Sequence, residues 1–136
     1  MTYLDRLQPL ALVVLRIVLG IVMIAHGYPK VFGGLHHHVQ FVSSLGIPGW
    51  LAYCSAFAEF FGGILVIAGL VTRIAALLIL IDISVAIAKV HWSHGLKAQG
   101  GYEFPLSIAA IAFALIFFGA GPIALDAVRG GRRSAK

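Results

Sequence analysis

The fold is decided by two consecutive apolar segments, WLAYCSAFAEFFGGILVIAGL (50–70) and TRIAALLILIDISVAIAKVH (72–91). Each is close to the length of about 20 residues that a helix needs to cross the roughly 30 Å hydrocarbon core of a membrane. Only Val71 separates them, so they are predicted to form an antiparallel helical hairpin. Each carries one acid near its middle, Glu59 and Asp82. A carboxylate at that depth is costly, which marks both as candidate functional residues.

The whole chain has the composition of an integral membrane protein. Of its 136 residues, 60% are hydrophobic and 11% are charged, against about 45–50% and 25% in soluble domains. The formal charge of +5 does not indicate nucleic-acid binding, because four of the ten cations lie in the last eight residues. A basic tail beside a span is a topology signal and a contact for anionic lipid. Cys54, the single cysteine, excludes an intrachain disulfide and is expected to be a small buried residue.

Hydropathy and helix breakers predict an all-α, membrane-embedded four-helix bundle that forms one domain over residues 1–136. The predicted spans are residues 9–27, 50–70, 72–90 and 104–120. Thr72 is the predicted N-cap of the third span. In the polar stretch 28–49, HHHVQFVSSL favours a short amphipathic helix. Most cations lie at the N-terminus, in the turn after the second span and in the C-terminal tail, so both termini are predicted to be cytoplasmic.

All six histidines fall at or beyond the predicted outer ends of the spans. His26 closes the first span and His91 closes the third, so both are expected at similar depth and could converge on one site. Two imidazoles there could hold a haem or a metal ion, or exchange protons with a quinone headgroup. Alternatively, each caps a helix end or bonds to a carbonyl group. The run 36–38 is predicted to be surface-exposed, because consecutive helical residues point about 100° apart and cannot all face one ion.

A second candidate group lies inside the predicted bundle. Arg16 is expected to pair with Glu59, and Gly20 leaves room beside it. The pair either fixes how the first two helices pack or lines a polar pocket in which Glu59 exchanges a proton. Asp82 and Lys89 are seven residues apart, so they share a face of the third span, which should look into the bundle.

Several segments resemble, in order, the DoxX family of small bacterial membrane proteins. They are LRIVLGIVMIAHGYPKVFGG (15–34), AEFFGGILVIAGLVTRIAAL (58–77), VHWSHG (90–95), GGYEFPL (100–106) and GAGPIALDA (119–127). The family's motif positions here include Arg16, His26, Lys30, Glu59, His91, Glu103 and Asp126. The resemblance implies four helices in the bacterial cytoplasmic (inner) membrane. It also implies a link to membrane oxidoreductases, since relatives are described as subunits of quinone-linked sulfur oxidation and of redox-stress complexes.

Together these features favour a redox membrane subunit that binds a quinone or similar ligand near the outer face and works with a soluble or membrane oxidoreductase. The predicted ligand-binding residues are His26, His91, Lys30, Glu103, Trp92 and Tyr102. Glu59 and Arg16 are the predicted catalytic residues, and His26 and His91 are also the candidate ligands of a haem or metal. Two alternatives remain open: a non-enzymatic scaffold that assembles a redox or stress-response complex, and a small transporter, which would need a homo-oligomer.

Overall fold

The computed structural model describes residues 2–133, and within that range every regular element is a helix. The α-helices, in chain order, are α1 (Thr2–Asp5), α2 (Gln8–Val31), α3 (Leu35–Ser44), α4 (Leu51–Ala68), α5 (Thr72–Ala86), α6 (Glu103–Phe118) and α7 (Leu125–Arg133). After α5 the chain continues through a π-helical turn at Ile87–His91 and a 3₁₀ turn at Trp92–His94. The all-helical prediction is confirmed.

Within residues 2–133, three helical segments are long and apolar enough to cross a membrane. They are Gln8–Val31, Leu51–Ala68 and Thr72–His94. The predicted fourth span corresponds to α6, which is apolar but has 16 residues. The count of four spans and the cytoplasmic termini stay predictions. Lys136, one of the tail cations behind the orientation, lies outside the described residues.

Glycines allow α2 and α4 to pack closely in antiparallel directions. A Cβ added at Gly27 would lie 2.5 Å from the Phe60 backbone nitrogen, and one at Gly20 would lie 2.7 Å from the Gly63 carbonyl oxygen. A Cβ at Gly63 would lie 2.8 Å from the Gly20 carbonyl oxygen. Helix backbones approach this closely only where small residues face each other. The register places the end of α2 beside the middle of α4.

The core lies between α2, α4, α5 and α6. Its fully buried side chains include Leu19 and Met23 of α2, Ile79 of α5 and Leu115 of α6. Many other large apolar side chains on the same helices are exposed, Ile81 among them at 53%. Soluble monomers rarely expose such extensive apolar surface, so this pattern is typical of helices surrounded by lipid.

The turn between α4 and α5 is fixed by a residue far away in sequence. Gly69 ends α4 with φ of +68°, and Val71 has φ of +44°. The Asp126 carboxylate accepts hydrogen bonds from the Val71 and Thr72 amides at 2.8 and 3.0 Å. The predicted Thr72 cap is wrong: Thr72 is the first residue of α5, and its buried Oγ1 has no partner within residues 2–133. Burial raises the pKa of Asp126, but the amide hydrogen bonds outweigh burial and bring the pKa below its ordinary value.

The stretch between α2 and α4 is more regular than a loop. The predicted amphipathic helix is confirmed as α3, whose Val42 is buried and which packs against α4. The predicted end of the first span at residue 27 is too early, because α2 continues through Pro29 to Val31. A proline lacks the N–H that would bond to the carbonyl four residues back, here that of Ala25, yet α2 continues for two residues beyond Pro29. This extension carries Lys30 into the bundle.

Candidate functional site

A buried ion pair joins the end of α2 to the middle of α4. The Lys30 ammonium donates to both carboxylate oxygens of Glu59, and each Nζ–Oε distance is 2.7 Å. Only 7% of the Glu59 side chain and 28% of the Lys30 side chain are exposed. The prediction that Glu59 pairs with Arg16 is therefore wrong.

Arg16 instead binds backbone carbonyl groups at the C-terminal end of α4. Its Nε donates to the Val66 oxygen and its Nη2 donates to the Ile67 oxygen, both at 3.1 Å. Its Nη1 donates to the Ala120 and Ile123 oxygens, both at 2.7 Å. The last carbonyl groups of a helix have no partner within that helix. Arg16 satisfies two of them and ties the segment after α6 to the end of α4.

The antiparallel register explains why Lys30, and not Arg16, pairs with Glu59. Arg16 and Lys30 are 14 positions apart in α2, which is about 21 Å along a helix axis. Arg16 lies level with the C-terminal end of α4, whereas Glu59 is at the middle of that helix. Because α2 and α4 run in opposite directions, similar residue counts from their starts do not give similar depths. Lys30 is the cation that reaches Glu59.

A second acid lies beside the ion pair. Asp82 of α5 faces the same space as Glu59 and Ser55 of α4. These side chains and Lys30 line a cavity of about 310 Å³ between α3, α4 and α5, which we call the carboxyl cavity. Lys89, predicted to share a face with Asp82, lines the same cavity. Asp82 is partly buried whereas Lys89 is exposed, so the prediction that this face looks into the bundle holds for Asp82 and not for Lys89.

The histidine run on α3 is divided between two environments. His36 and His37 are exposed. His38 lines the carboxyl cavity, and its buried Nε2 has no hydrogen-bond partner among the described residues. Burial, together with Lys30, lowers the pKa of His38 although Asp82 opposes this shift, so the ring is neutral near pH 7. The prediction of an exposed triplet is right for two residues and wrong for His38.

His26 and His91 line one cavity of about 340 Å³, which we call the histidine cavity. The His26 Nδ1 lies 2.8 Å from the Val22 carbonyl oxygen, and the His91 Nδ1 lies 2.7 Å from the Gly100 carbonyl oxygen. A carbonyl oxygen only accepts hydrogen bonds, so each Nδ1 carries a proton and each Nε2 of the neutral ring is an acceptor. The sequence left two interpretations open: that each histidine bonds to a carbonyl group, or that the two converge on one site. Both features are present, since each Nδ1 bonds to a carbonyl oxygen and the two residues line one cavity.

Aromatic rings surround the histidine cavity. The Phe104 ring lines it and stacks on His26 with a centroid distance of 6.0 Å. Trp92 and Tyr102 stack on each other at 5.2 Å and are not part of the lining, although Trp92 directly follows the lining residue His91 in sequence. Glu103 is exposed in the first turn of α6, where the helix dipole favours an anion. Of the six predicted ligand-binding residues, the structure gathers His26, Lys30 and His91 in one lining.

The Lys30–Glu59 ion pair lies between the two cavities and lines both of them. Asp82 and His38 therefore lie on one side of the pair, and His26 and His91 lie on the other. Cys54 lines the carboxyl cavity and is exposed, so its predicted burial is wrong. Sequence reasoning also missed His38, because neighbouring positions on a helix give no sign of which one faces inward until the helix is placed.

Metal binding has limited support in the geometry. Within residues 2–133, no group of three or more His, Cys, Asp or Glu side chains is arranged to hold a metal ion. Protein metal sites usually supply three or four such ligands. A haem needs only two axial ligands, so ligation by His26 and His91 stays a prediction.

Comparison with known proteins gives the family. The DoxX family model matches residues 11–92, more than half of the chain. The chain belongs to the DoxX family. A protein of Bacillus subtilis (strain 168) named "Putative oxidoreductase CatD" is 35% identical over 112 residues, which cover 82% of this DoxX chain and 81% of the relative. No solved structure matches. The match to the DoxX model runs from α2 to just past the π-helical turn after α5, and this region contains the Lys30–Glu59 pair, Asp82, His26 and His91.

Proposed function

We propose that this DoxX-family protein is a membrane subunit of an oxidoreductase system and binds a quinone, or a similar redox ligand, in the histidine cavity. The observation that carries the proposal is the Lys30–Glu59 pair in the wall of a cavity that His26 and His91 also line. A buried ion pair adds little net stability. Charged groups within apolar spans usually serve a function, so their position beside a cavity supports ligand binding and proton exchange.

The lining suits both redox forms of a quinone. A quinone carbonyl accepts a hydrogen bond, whereas the hydroxyl of the reduced form donates one. Lys30 has three N–H donors and uses two on Glu59, which leaves one for a ligand carbonyl. The Nε2 atoms of His26 and His91 are acceptors for a ligand hydroxyl. Phe104 adds a ring face for stacking.

Proton exchange in this proposal belongs to Glu59 and the two histidines. Glu59 is buried and bonded to a cation that reaches the same cavity. Arg16 was the other predicted catalytic residue, but its guanidinium is bonded to carbonyl groups at the far end of α4. We therefore assign Arg16 a structural role and route no proton through it. Trp92, Tyr102 and Glu103 are assigned to the surroundings of the cavity.

The size of the histidine cavity favours a single ring. Its volume of about 340 Å³ is at the lower end of the range of ligand pockets, about 300–1,000 Å³. A quinone ring fits this space, and its apolar tail can extend between the helices toward lipid. A porphyrin is much larger than one ring, so haem ligation by His26 and His91 is the less favoured version of the proposal.

The redox assignment and the cellular location rest on separate arguments. The relative named as an oxidoreductase supports the reaction class. We infer that a soluble or membrane oxidoreductase partner exchanges electrons with the bound ligand. The cations Arg6, Arg73 and Arg129 lie near helix ends on one predicted side. The excess of cations on that side supports cytoplasmic termini in the bacterial inner membrane.

The proposal is tested on protein purified from its native membrane in mild detergent. Organic extraction and mass spectrometry quantify bound quinone, and an absorption spectrum reports haem. We expect quinone in the wild type and its loss from the His26→Ala, His91→Ala double variant. The matched control is His36→Ala, His37→Ala, which removes two exposed histidines and should keep the ligand.

Absence of both quinone and haem from the wild type would contradict the proposal. Equal quinone content in the two double variants would also contradict it. A non-enzymatic scaffold would then be the better account, and it predicts partner proteins that co-purify with the chain despite both pairs of histidine changes.

A further inference from the structure

The carboxyl cavity and the histidine cavity share a wall. Five residues line both spaces: the Lys30–Glu59 pair and the apolar residues Phe41, Ala86 and Val90. Within residues 2–133, Glu59 is the one acid that belongs to both linings. A carboxyl group in such a wall can take up a proton from one cavity and release it into the other.

The carboxyl cavity reaches the surface at the side of the bundle where α2 and α5 end. These ends lie on the same side because α4 runs antiparallel to both helices. Lys89, in the π-helical turn after α5, lines the cavity and is exposed. An ammonium group at the end of a span lies in water rather than in hydrocarbon. This side of the cavity therefore meets the aqueous boundary of the membrane.

Two groups that can transfer protons line the carboxyl cavity and not the histidine cavity, His38 and Asp82. The buried Nε2 of His38 has no hydrogen-bond partner among the described residues, so it can bond to water inside the cavity. An imidazole can accept a proton at one nitrogen and release one from the other. The volume of about 310 Å³ holds several water molecules, since each occupies about 30 Å³ in the liquid.

We propose that the carboxyl cavity is the proton route of the quinone site, in which His38 and Asp82 pass protons between water at the side of α3 and Glu59. This inference rests on the proposed function. Reduction of a bound quinone to the hydroquinone takes up two electrons from the oxidoreductase partner and two protons, one on each carbonyl oxygen. Both protons cross the wall at Glu59, which is reprotonated from the carboxyl cavity. Oxidation of the hydroquinone uses the same route in reverse.

Cys54 reports whether water enters the carboxyl cavity. It lines this cavity and is the only cysteine of the chain. In lipid nanodiscs without quinone, intact mass follows its reaction with a charged reagent, 2-(trimethylammonium)ethyl methanethiosulfonate, and with N-ethylmaleimide, which also dissolves in lipid. We expect both reagents to react. Reaction with N-ethylmaleimide alone would mean that the cavity is closed to water and would overturn the proposal.

The route itself is tested with His38→Ala and Asp82→Asn, which remove its two proton-transfer groups. His37→Ala and Ser84→Ala are the controls on the same two helices, since neither residue lines a cavity. Each protein is placed in nanodiscs with a short-chain quinone. Stopped-flow absorbance follows hydroquinone formation, after subtraction of the rate in nanodiscs without protein. Titanium(III) citrate is the electron donor, at concentrations high enough that the rate no longer depends on it.

Quinone affinity is measured separately, by quenching of Trp92 fluorescence in a Trp50→Phe background. We expect His38→Ala and Asp82→Asn to keep the wild-type affinity but to lower the rate about tenfold or more, because a positioned proton-transfer group contributes on the order of 100-fold or more. Added imidazole should restore the rate of His38→Ala, since it fits the space that the ring leaves, and should not restore that of Asp82→Asn. Both controls should keep the wild-type rate.

Wild-type rates in both His38→Ala and Asp82→Asn would overturn the route. A slow His38→Ala variant that imidazole does not restore would also overturn it, because a structural role would then explain the loss. His38 lies outside the spans, so this variant decides the matter if Asp82→Asn does not fold. Absence of saturable quenching in the wild type is a different failure, since it removes the proposed quinone site and this route with it.

Discussion

Removing one partner of the Lys30–Glu59 pair should lower the free energy of unfolding far more than removing both partners. Lys30→Met leaves the Glu59 carboxylate buried without its cation, whereas Lys30→Met combined with Glu59→Gln leaves no charge. Methionine keeps most of the lysine stem, and glutamine keeps the shape of glutamate. The difference between the single and double variants therefore isolates the charge pairing from the packing.

The magnitude follows from the geometry of the pair. At the N–O distance of 2.7 Å, the Coulomb attraction is about 6 kcal/mol with an effective dielectric constant of about 20. Desolvation of both groups offsets most of this gain, but breaking a buried pair on one side costs about 3–5 kcal/mol. Lys30 is 28% exposed, so for Lys30→Met we expect a loss of unfolding free energy at the lower end of this range, about 3 kcal/mol. The double variant should lose about 1 kcal/mol.

The assay is reversible unfolding in mixed detergent micelles, followed by tryptophan fluorescence. The matched comparison is Arg16→Met with the same Glu59→Gln change, because Arg16 has no contact with Glu59 and distant sites usually add within about 0.5 kcal/mol. Additive losses for Lys30 and Glu59 would refute the pairing. Strong coupling between Arg16 and Glu59 would refute it too, and would restore the partner expected from the sequence.

Three further predictions concern how the bundle is held together, and each is measured by the same unfolding assay. Arg16→Met should cost about 3 kcal/mol or more, because four carbonyl groups lose their donor, and Arg16→Lys should recover only part of this. Asp126→Ala should lower the free energy of unfolding by about 1 kcal/mol, because it removes the cap of α5. The pKa of Asp126 in the folded protein is below its ordinary value. The stabilisation by Asp126 is therefore complete above the ordinary pKa and is lost as the pH falls through the pKa of the folded state. Gly27→Ala should lower the free energy of unfolding by about 1–3 kcal/mol, because the added methyl group pushes α2 away from α4. Gly130→Ala is the control and should cause no measurable loss, because the space around Gly130 is open.

The helices could be predicted from the sequence because hydrophobic length and helix breakers act locally. The predicted span 50–70 became Leu51–Ala68, and the predicted amphipathic segment became Leu35–Ser44. The exception is the end of α2, which runs to Val31 although Pro29 is a helix breaker. Pro29 removes the N–H that would bond to the Ala25 carbonyl, and the packing of α2 against α4 outweighs the loss of this one hydrogen bond.

The partners of buried charges could not be predicted, because they depend on the register between helices. A signal for Lys30 was nevertheless present, since it lies seven positions after Met23 and 14 after Arg16, a spacing that keeps residues on one helix face. The cap of α5 had no such signal. Asp126 lies 54 residues beyond Thr72 in sequence, and only the folded chain brings its carboxylate to the start of α5.

The central claim is most directly tested by the fluorescence of Trp92, which directly follows His91, a residue of the histidine cavity, and stacks on Tyr102. The chain has two tryptophans, so Trp50→Phe leaves Trp92 as the single reporter. A short-chain quinone is titrated into this variant in nanodiscs. The account predicts saturable quenching that His26→Ala, His91→Ala abolishes and that His36→Ala, His37→Ala preserves. Quenching that rises linearly with quinone concentration, and equally in all three proteins, would contradict it.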